Sequence, residues 1–370
     1  MKSIPFLSFD EINSQIEEDV FKEFESFYHS KRYILGDRLL KFEKDYAGFS
    51  NTKHAIGVNN GLNAIYLSLL ALGIGQGDEV ILPSNTFIAS VLAVTYTGAT
   101  PVFSEPNPDT HNICPKKIQE VITNKTKAIL PVHLYGQSCE MDKIMSVAKV
   151  NRLFVVEDNA QAQGATCNGV KTGSFGDLSA TSFYPGKNLG AFGDAGAVTT
   201  DDDTLSEKIR MLRNYGSLKK YHNEVVGFNA RLDELQAGFL SIKLRLIDQW
   251  SEERNKIAGW YNQYLKSDVV IKPQLADGCT SVYHLYVIRH PERDRLQHYL
   301  EGKGVATLIH YPIPPHLQKA YAKLGYQRGD FPIAEKLANE VLSLPLFIGM
   351  KEEQVAYICN QINKFPHGKV

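Results

Sequence analysis

Between residue 55 and about residue 200, short apolar runs alternate with segments whose apolar positions recur every three or four residues. That alternation predicts an α/β domain built on a mainly parallel sheet. The predicted strands are EVILPS (79–84), TPVFSE (100–105), KAILPVH (127–133), RLFVVED (152–158), SATSFY (179–184) and GAVTTD (196–201), with helices such as GLNAIYLSLLALG and MDKIMSVAKV between them. Residues 203–214 and 231–264 also read as helices. The second carries Leu232, Leu235, Phe239, Ile242, Leu246 and Trp250 at helical spacing and is long enough to run from one domain to another. From about residue 265, SVYHLYVIRH, ERDRLQHYLEGKG and the proline-containing HYPIPPHLQ predict a smaller α+β domain. The expected division is a large domain over 1–264 and a small one over 265–370.

Composition narrows the function classes. Forty Lys and Arg against 41 Asp and Glu leave a net charge of −1 with no long run of one sign, which argues against a nucleic-acid partner. The five cysteines, Cys114, Cys139, Cys167, Cys279 and Cys359, are scattered and never form C-x-x-C, so neither a disulfide framework nor a zinc site is expected. The opening MKSIPFLSFDEINSQIEED lacks a basic stretch leading into an apolar segment, and no run reaches about 18 apolar residues. A cytoplasmic protein with no membrane association is the expectation.

In open α/β sheets ligands collect beyond the carboxyl ends of the strands, and four places there carry candidate chemistry. In GVNNGLNAIYLSLLALG, Asn60 and Gly61 precede a helix whose first N–H groups could hold a phosphate. An Asn-capped helix with a turn glycine explains that segment as well. In RLFVVEDNAQAQGA, Glu157 and Asp158 end a strand, with Gln161 one turn later. A carboxylate there could pair with a protonated ring nitrogen, or simply cap the next helix. In TSFYPGKNLGAFGDAG, Lys187 lies among glycines 29 residues after Asp158, where an amine could form a Schiff base or merely face water. In SNTFIAS, Phe87 could cover a planar cofactor or fill core. Together the four supply an acid, an amine, a phosphate site and an aromatic cover, the parts that pyridoxal phosphate chemistry needs. Neither a G-x-x-x-x-G-K-[ST] loop nor a G-x-G-x-x-G turn after a first strand is present.

The stretches GDEVILPSNTFIASVLAV, VVEDNAQAQGA, GSFGDLSATSFYPGKNLGAFGDAGAVTTDD and VGFNARLDELQAGFL strongly resemble the sugar-nucleotide aminotransferase family, and the likeness runs from YILGDRLLKFEKDYAGF to YPIPPHLQKAY. The resemblance implies the aspartate aminotransferase type of fold (type I), with a mainly parallel seven-stranded sheet flanked by helices, and pyridoxal 5'-phosphate as cofactor. Lys187 would be the lysine that binds the cofactor as an imine. Asp158 would pair with the ring nitrogen, Gln161 would approach the ring hydroxyl and Phe87 would stack on the ring. Ser182, with the backbone of Gly61 and Leu62, would hold the phosphate, and Asn229 would reach it from the neighbouring subunit of a homodimer. Leu62 stands where the family often has threonine, so one hydroxyl contact is missing. Relatives that deoxygenate carry histidine in place of the lysine, whereas this chain keeps Lys187.

An anionic nucleotide substrate needs local donors in so neutral a protein. Lys219, Lys220 and Arg231, flanking Asn229, are the candidates, although the two lysines could equally be a solvated pair. Tyr184, His310, Tyr311 and His316 are candidates for a sugar pocket, the last three on the proline-stiffened LIHYPIPPH. His133 and His284 are as readily structural. EDNAQAQGA, HLYGQ and SNTFIAS look most like the branch that aminates dTDP-3-keto-6-deoxyhexoses at C3 with L-glutamate as donor. Galacto is the preferred configuration, although gluco is not separated from it. A C4 aminotransferase on a UDP-, GDP- or dTDP-4-ketosugar is the alternative, and a PLP-binding regulator without turnover is the alternative of another class.

Overall fold

The computed structural model describes residues 3–366. Its strands, in chain order, are β1 (His54–Val58), β2 (Glu79–Pro83), β3 (Thr100–Ser104), β4 (Thr126–Ile129), β5 (Phe154–Asp158), β6 (Thr166–Cys167), β7 (Val170–Lys171), β8 (Leu178–Ser182), β9 (Gly196–Thr200), β10 (Tyr286–Arg289) and β11 (Val341–Leu344). Seven of them form one sheet in the order β1-β9-β8-β5-β4-β2-β3. Only β9 runs against the rest, pairing antiparallel with β1 and β8. The expected α/β class and mainly parallel seven-stranded sheet are what the chain adopts.

The strands read as nearly unbroken apolar runs because helices cover both faces of the sheet. Val80, Ile81 and Leu82 of β2 and Val155 and Val156 of β5 are fully buried. The apolar pattern passes over β1, whose HAIGV is interrupted by Gly57. That glycine is where the helix Asp37–Ser50 and the segment leading into helix Glu234–Leu244 press on the sheet: a Cβ there would lie 2.8 Å from both Leu39 Cδ1 and Leu232 Cδ2.

The segment 231–264 is two helices, not one: Glu234–Leu244 and Ile247–Tyr264. At the break, Arg245 N donates to Ile242 O and Leu246 N to Lys243 O, so the turn tightens to i→i−3 bonding. Apolar spacing persists across a break that costs no buried position, so the pattern does not reveal it. The second helix bridges two apolar cores. Trp250 packs with Ile16, Phe239 and Ile242, whereas Ile257, Ala258 and Tyr261 pack with β10, β11 and Ile358. Burying each large aliphatic side chain there contributes about 1.5–3 kcal/mol.

The C-terminal segment also returns to the main sheet. Tyr321, Phe331, Ala334 and Leu337 share a core with Leu82 and Phe103. The helix Pro332–Glu340 starts on a carboxylate from the sheet edge, with Ile333 N and Ala334 N donating to Glu105 at 2.7 and 3.1 Å. Among the described residues no helix is long and apolar enough to cross a membrane.

Candidate active site

Strand alternation separates the two adjacent acids at the end of β5. Glu157 points away from the site. Its carboxylate bonds His133 Nε2 at 2.9 Å and accepts from the backbone of Gly173, Phe175 and Gly176. His133 in turn accepts from Cys139 N through Nδ1 at 3.0 Å, which makes it a structural histidine. Asp158 points to the carboxyl edge of the sheet. It is 6% exposed and accepts from Ser90 Oγ at 2.8 Å and Ala160 N at 3.1 Å. Burial raises its pKa, and those two donors, with the charge of Lys187, oppose the rise.

Lys187 stands on the turn that follows β8. Its N–H donates to Tyr184 O at 2.8 Å, and Ala191 N donates to Phe183 O at 2.8 Å, closing the loop over Pro185–Gly190. Burial pulls the amine down to about 8, against the attraction of Asp158. A lysine so placed is partly unprotonated near neutral pH, the state a nucleophile or base requires.

Around this pair the structure gathers a wall of polar aromatics. Gln161 accepts from Tyr135 N at 2.6 Å and donates from Nε2 to Tyr311 Oη at 3.2 Å. The Tyr311 ring lies 5.1 Å from that of Phe87, which is half exposed. His310 bonds Ser343 Oγ through Nδ1 at 2.8 Å, and Tyr135 Oη donates to its carbonyl. Burial, then the charge of Lys187, push His310 down to about 4, so it is neutral at physiological pH. Phe6 packs 5.9 Å from the His310 ring, and a Cβ on Gly186 would lie 3.6 Å from both Leu7 Cδ2 and Tyr184 Cε1.

On the other side the helix Gly61–Ala71 begins against Ser182. Asn60 caps it, accepting from Asn63 N at 2.8 Å and from Ala64 N at 3.0 Å. The N–H groups of Gly61 and Leu62 have no partner among the described residues. A Cβ on Gly61 would sit 2.6 Å from Ser182 Cβ, so only glycine lets the helix start approach that serine. The missing threonine at Leu62 therefore leaves two backbone donors and one hydroxyl in place.

The other candidates are exposed, or are held by partners of their own. Tyr184, Lys219 and Asn229 are exposed. Arg231 donates to Asn214 Oδ1 at 3.2 Å and stands 5.3 Å from the Tyr215 ring centroid. His316 is turned away from Lys187: it is 1% exposed, bonded to Glu335 at 3.1 Å and packed on Phe331. His284 is partly buried and held well below the usual histidine range by desolvation, with Lys187 adding to the effect. Sequence reasoning missed Ser90, Tyr135, Phe6 and Leu7. Ser90 alone had a signal, lying one helical turn after Phe87 in SNTFIAS.

These groups fit pyridoxal 5'-phosphate. Two unpaired N–H groups and the Ser182 hydroxyl suit a phosphate, a buried carboxylate suits a protonated ring nitrogen, and a depressed amine suits an aldehyde. Comparison with known proteins agrees. A dTDP-3-amino-3,6-dideoxy-alpha-D-galactopyranose transaminase of Aneurinibacillus thermoaerophilus is 49% identical over 362 residues, 98% of this chain and 99% of that protein. A "pleiotropic regulatory protein" of Geobacillus stearothermophilus is 45% identical over 98% of each chain. The crystal structure of S. venezuelae DesV with a ketimine intermediate superposes with a TM-score of 0.97, at 43% identity and 99% coverage of both chains. Residues 14–363 match the DegT/DnrJ/EryC1/StrS aminotransferase family, and the chain belongs to that PLP-dependent family.

Proposed function

We propose that the protein transfers an amino group from L-glutamate to C3 of a dTDP-3-keto-6-deoxyhexose of galacto configuration, yielding dTDP-3-amino-3,6-dideoxyhexose and 2-oxoglutarate. The observation that carries the reading is the buried Asp158, fixed by Ser90 and Ala160, facing the depressed amine of Lys187 at one sheet edge. The relative that forms a 3-amino-3,6-dideoxygalactose nucleotide supports the substrate.

Pyridoxal phosphate, when bound, supplies an electron sink and a carrier for the amino group. Lys187 Nζ takes a proton from the donor's α-carbon and later returns one to the sugar carbon, which calls for ping-pong kinetics. Asp158 holds negative charge where the ring nitrogen is protonated, and Gln161 is fixed by Tyr135 and Tyr311 to meet the ring hydroxyl. Gly61, Leu62 and Ser182 bind the phosphate. Tyr184, His310 and Tyr311 orient the sugar, with His310 serving as a neutral hydrogen-bonding group. Lys219 and Arg231 hold the nucleotide diphosphate.

The active unit in this reading is a homodimer, in which Asn229 reaches the neighbour's phosphate site. The exposed Phe21, Phe24 and Tyr28 on helix Asp10–Ser30 support such a covered face. The reading places the enzyme in the cytoplasm, making amino sugars for a polysaccharide such as lipopolysaccharide or for an antibiotic.

A C4 aminotransferase would use the same residues. A regulator without turnover is the second reading, favoured by the name of the Geobacillus relative, and the retained Lys187 and Asp158 weigh against it. The test is absorption spectroscopy of the protein loaded with pyridoxal phosphate. L-glutamate should bleach the visible band near its maximum and dTDP-3-keto-6-deoxyhexose should restore it, with NMR placing nitrogen on C3. A band unmoved by any amino donor would establish the regulatory reading, and restoration by 4-ketosugars alone would establish the C4 one.

A further inference from the structure

Lys243 lies in the last turn of helix Glu234–Leu244 and is 4% exposed. Its Nζ donates to Gly190 O at 2.7 Å and stands 3.9 Å from the centroid of the Phe192 ring. Burial alone pushes this amine down to about 8, with no carboxylate acting on it. The same helix sends Gln236 to the next stretch of backbone, where its Oε1 accepts from Phe192 N at 2.8 Å.

The carbonyl that Lys243 binds belongs to the Lys187 turn. Gly190 is packed on the start of that turn so closely that a Cβ would lie 2.2 Å from Pro185 O. Asn188, next to Lys187, is tied on the other side by Nδ2 donating to Val282 O at 2.9 Å. The turn is therefore pinned at Asn188 and Gly190 and folded back on Pro185.

An ammonium buried with one carbonyl and one ring face is a poor choice for stability. Desolvation opposes it, and apolar side chains of similar size usually replace such charges without loss. The carbonyl bond and the cation–π contact offset part of that cost. What a lysine gives here that methionine does not is a fixed donor on Gly190 O, and a displacement of about 1 Å at a reacting group can cost a hundredfold in rate.

We propose that Lys243 is a positioning residue for the reacting amine: by holding Gly190 O, together with Gln236 on Phe192 N, it fixes the turn from which Lys187 Nζ reaches. The inference rests on Lys187 being the amine that reacts. Lys243 itself touches neither substrate nor cofactor.

The test uses the full-length apoprotein. Pyridoxal phosphate is added, borohydride quenches at timed intervals, and the labelled peptide is read by mass spectrometry in wild type, K243M and K243R. K243M should capture the aldehyde on Lys187 at least about tenfold more slowly and lose kcat by a similar factor with little change in KM. Its urea midpoint should stay close to wild type, because loss of the carbonyl bond and relief of the buried charge act in opposite directions. K243R, which keeps a donor, should recover most of the capture rate. Wild-type capture and kcat in K243M would overturn the proposal, as would a loss that follows reduced stability and is not recovered in K243R. Labelling of wild type at some other residue would instead overturn the assignment of Lys187, and this inference with it.

Discussion

Replacing Ser90 by alanine probes the electrostatics of the site without touching any group that meets substrate. Ser90 Oγ donates to Asp158 Oδ2 at 2.8 Å, and both residues are buried, so no water stands ready to take its place. A hydrogen bond to a charged group is worth about 1.5–3 kcal/mol. At about 1.4 kcal/mol per tenfold, S90A lowers the ratio of ionised to protonated Asp158 by about 10- to 100-fold. Burial already raises this carboxyl and Ser90 opposes the rise, so the variant moves it further in the same direction.

In the proposed mechanism the ionised form is the one that supports catalysis, so activity should be lost at higher pH than in wild type. The acid limb of kcat/KM should move by about one to two pH units toward alkaline pH. Stability has its own sign. A carboxyl whose folded pKa lies above the unfolded value binds more protons when folded, so stability falls as pH rises from the unfolded value through the folded one. In the apoprotein that fall should be steeper for S90A than for wild type and should extend to higher pH. The assay is a pair of series: initial rates from pH 5 to 9, and urea melts of apoprotein over the acidic range. S90T, which keeps the hydroxyl, is the control. An acid limb that stays put in S90A, or moves toward acid, would refute the account of what Ser90 does.

Lys187 in the apoprotein should react with an amine-directed reagent with a midpoint near pH 8, and because its folded pKa lies below the unfolded value of 10.5, apoprotein stability should rise with pH across that interval. Glu234→Gln should destabilise the protein by about 1–3 kcal/mol in urea melts, because its buried carboxylate accepts from Gly36 N, Arg38 N and Leu39 N at the start of helix Asp37–Ser50. Of the five cysteines only the half-buried Cys114 should react rapidly with a thiol reagent at pH 8, since the other four are buried and burial pushes Cys279 and Cys359 up to about 12. His316→Gln should leave the KM for the nucleotide sugar unchanged and lower stability, because the ring faces Glu335 and Phe331.

The parts of the fold that could be read from sequence were those in which both faces of an element are buried. β2 and β5 are unbroken apolar runs because helices lie above and below them, and that pattern needs no knowledge of the partner. β1 escaped notice because Gly57 yields its side chain to Leu39 and Leu232, a requirement set by other segments that the fold brings against it. For the site, Lys187, Asp158 and Gln161 were legible because each sits directly after an apolar run. Ser90 had only its spacing from Phe87 to mark it, and Phe6 and Leu7 had nothing, since their roles depend on which segments the fold brings over the sheet edge. His316 misled for the same reason: LIHYPIPPH shows three polar rings close together, and only the path of the chain decides that His310 lies near Lys187 and Tyr311 near Gln161 and Asp158 while His316 faces Phe331.

The opposed directions of Glu157 and Asp158 make β5 a ruler. A deletion of one residue from its start would seat Asp158 where Glu157 now meets His133 and would move Glu157 back to the place of the buried Val156, so neither acid would keep its station. A carboxylate would then be forced into the apolar core around Val156 while a shorter one failed to reach the 173–176 backbone, so a single slip disables scaffold and chemistry together. The exposed turn at Asn168 and Gly169, between β6 and β7, lies outside β5, and a change of length there leaves its alternation untouched. Length is thus far less constrained in that turn than in the five residues that aim the acids.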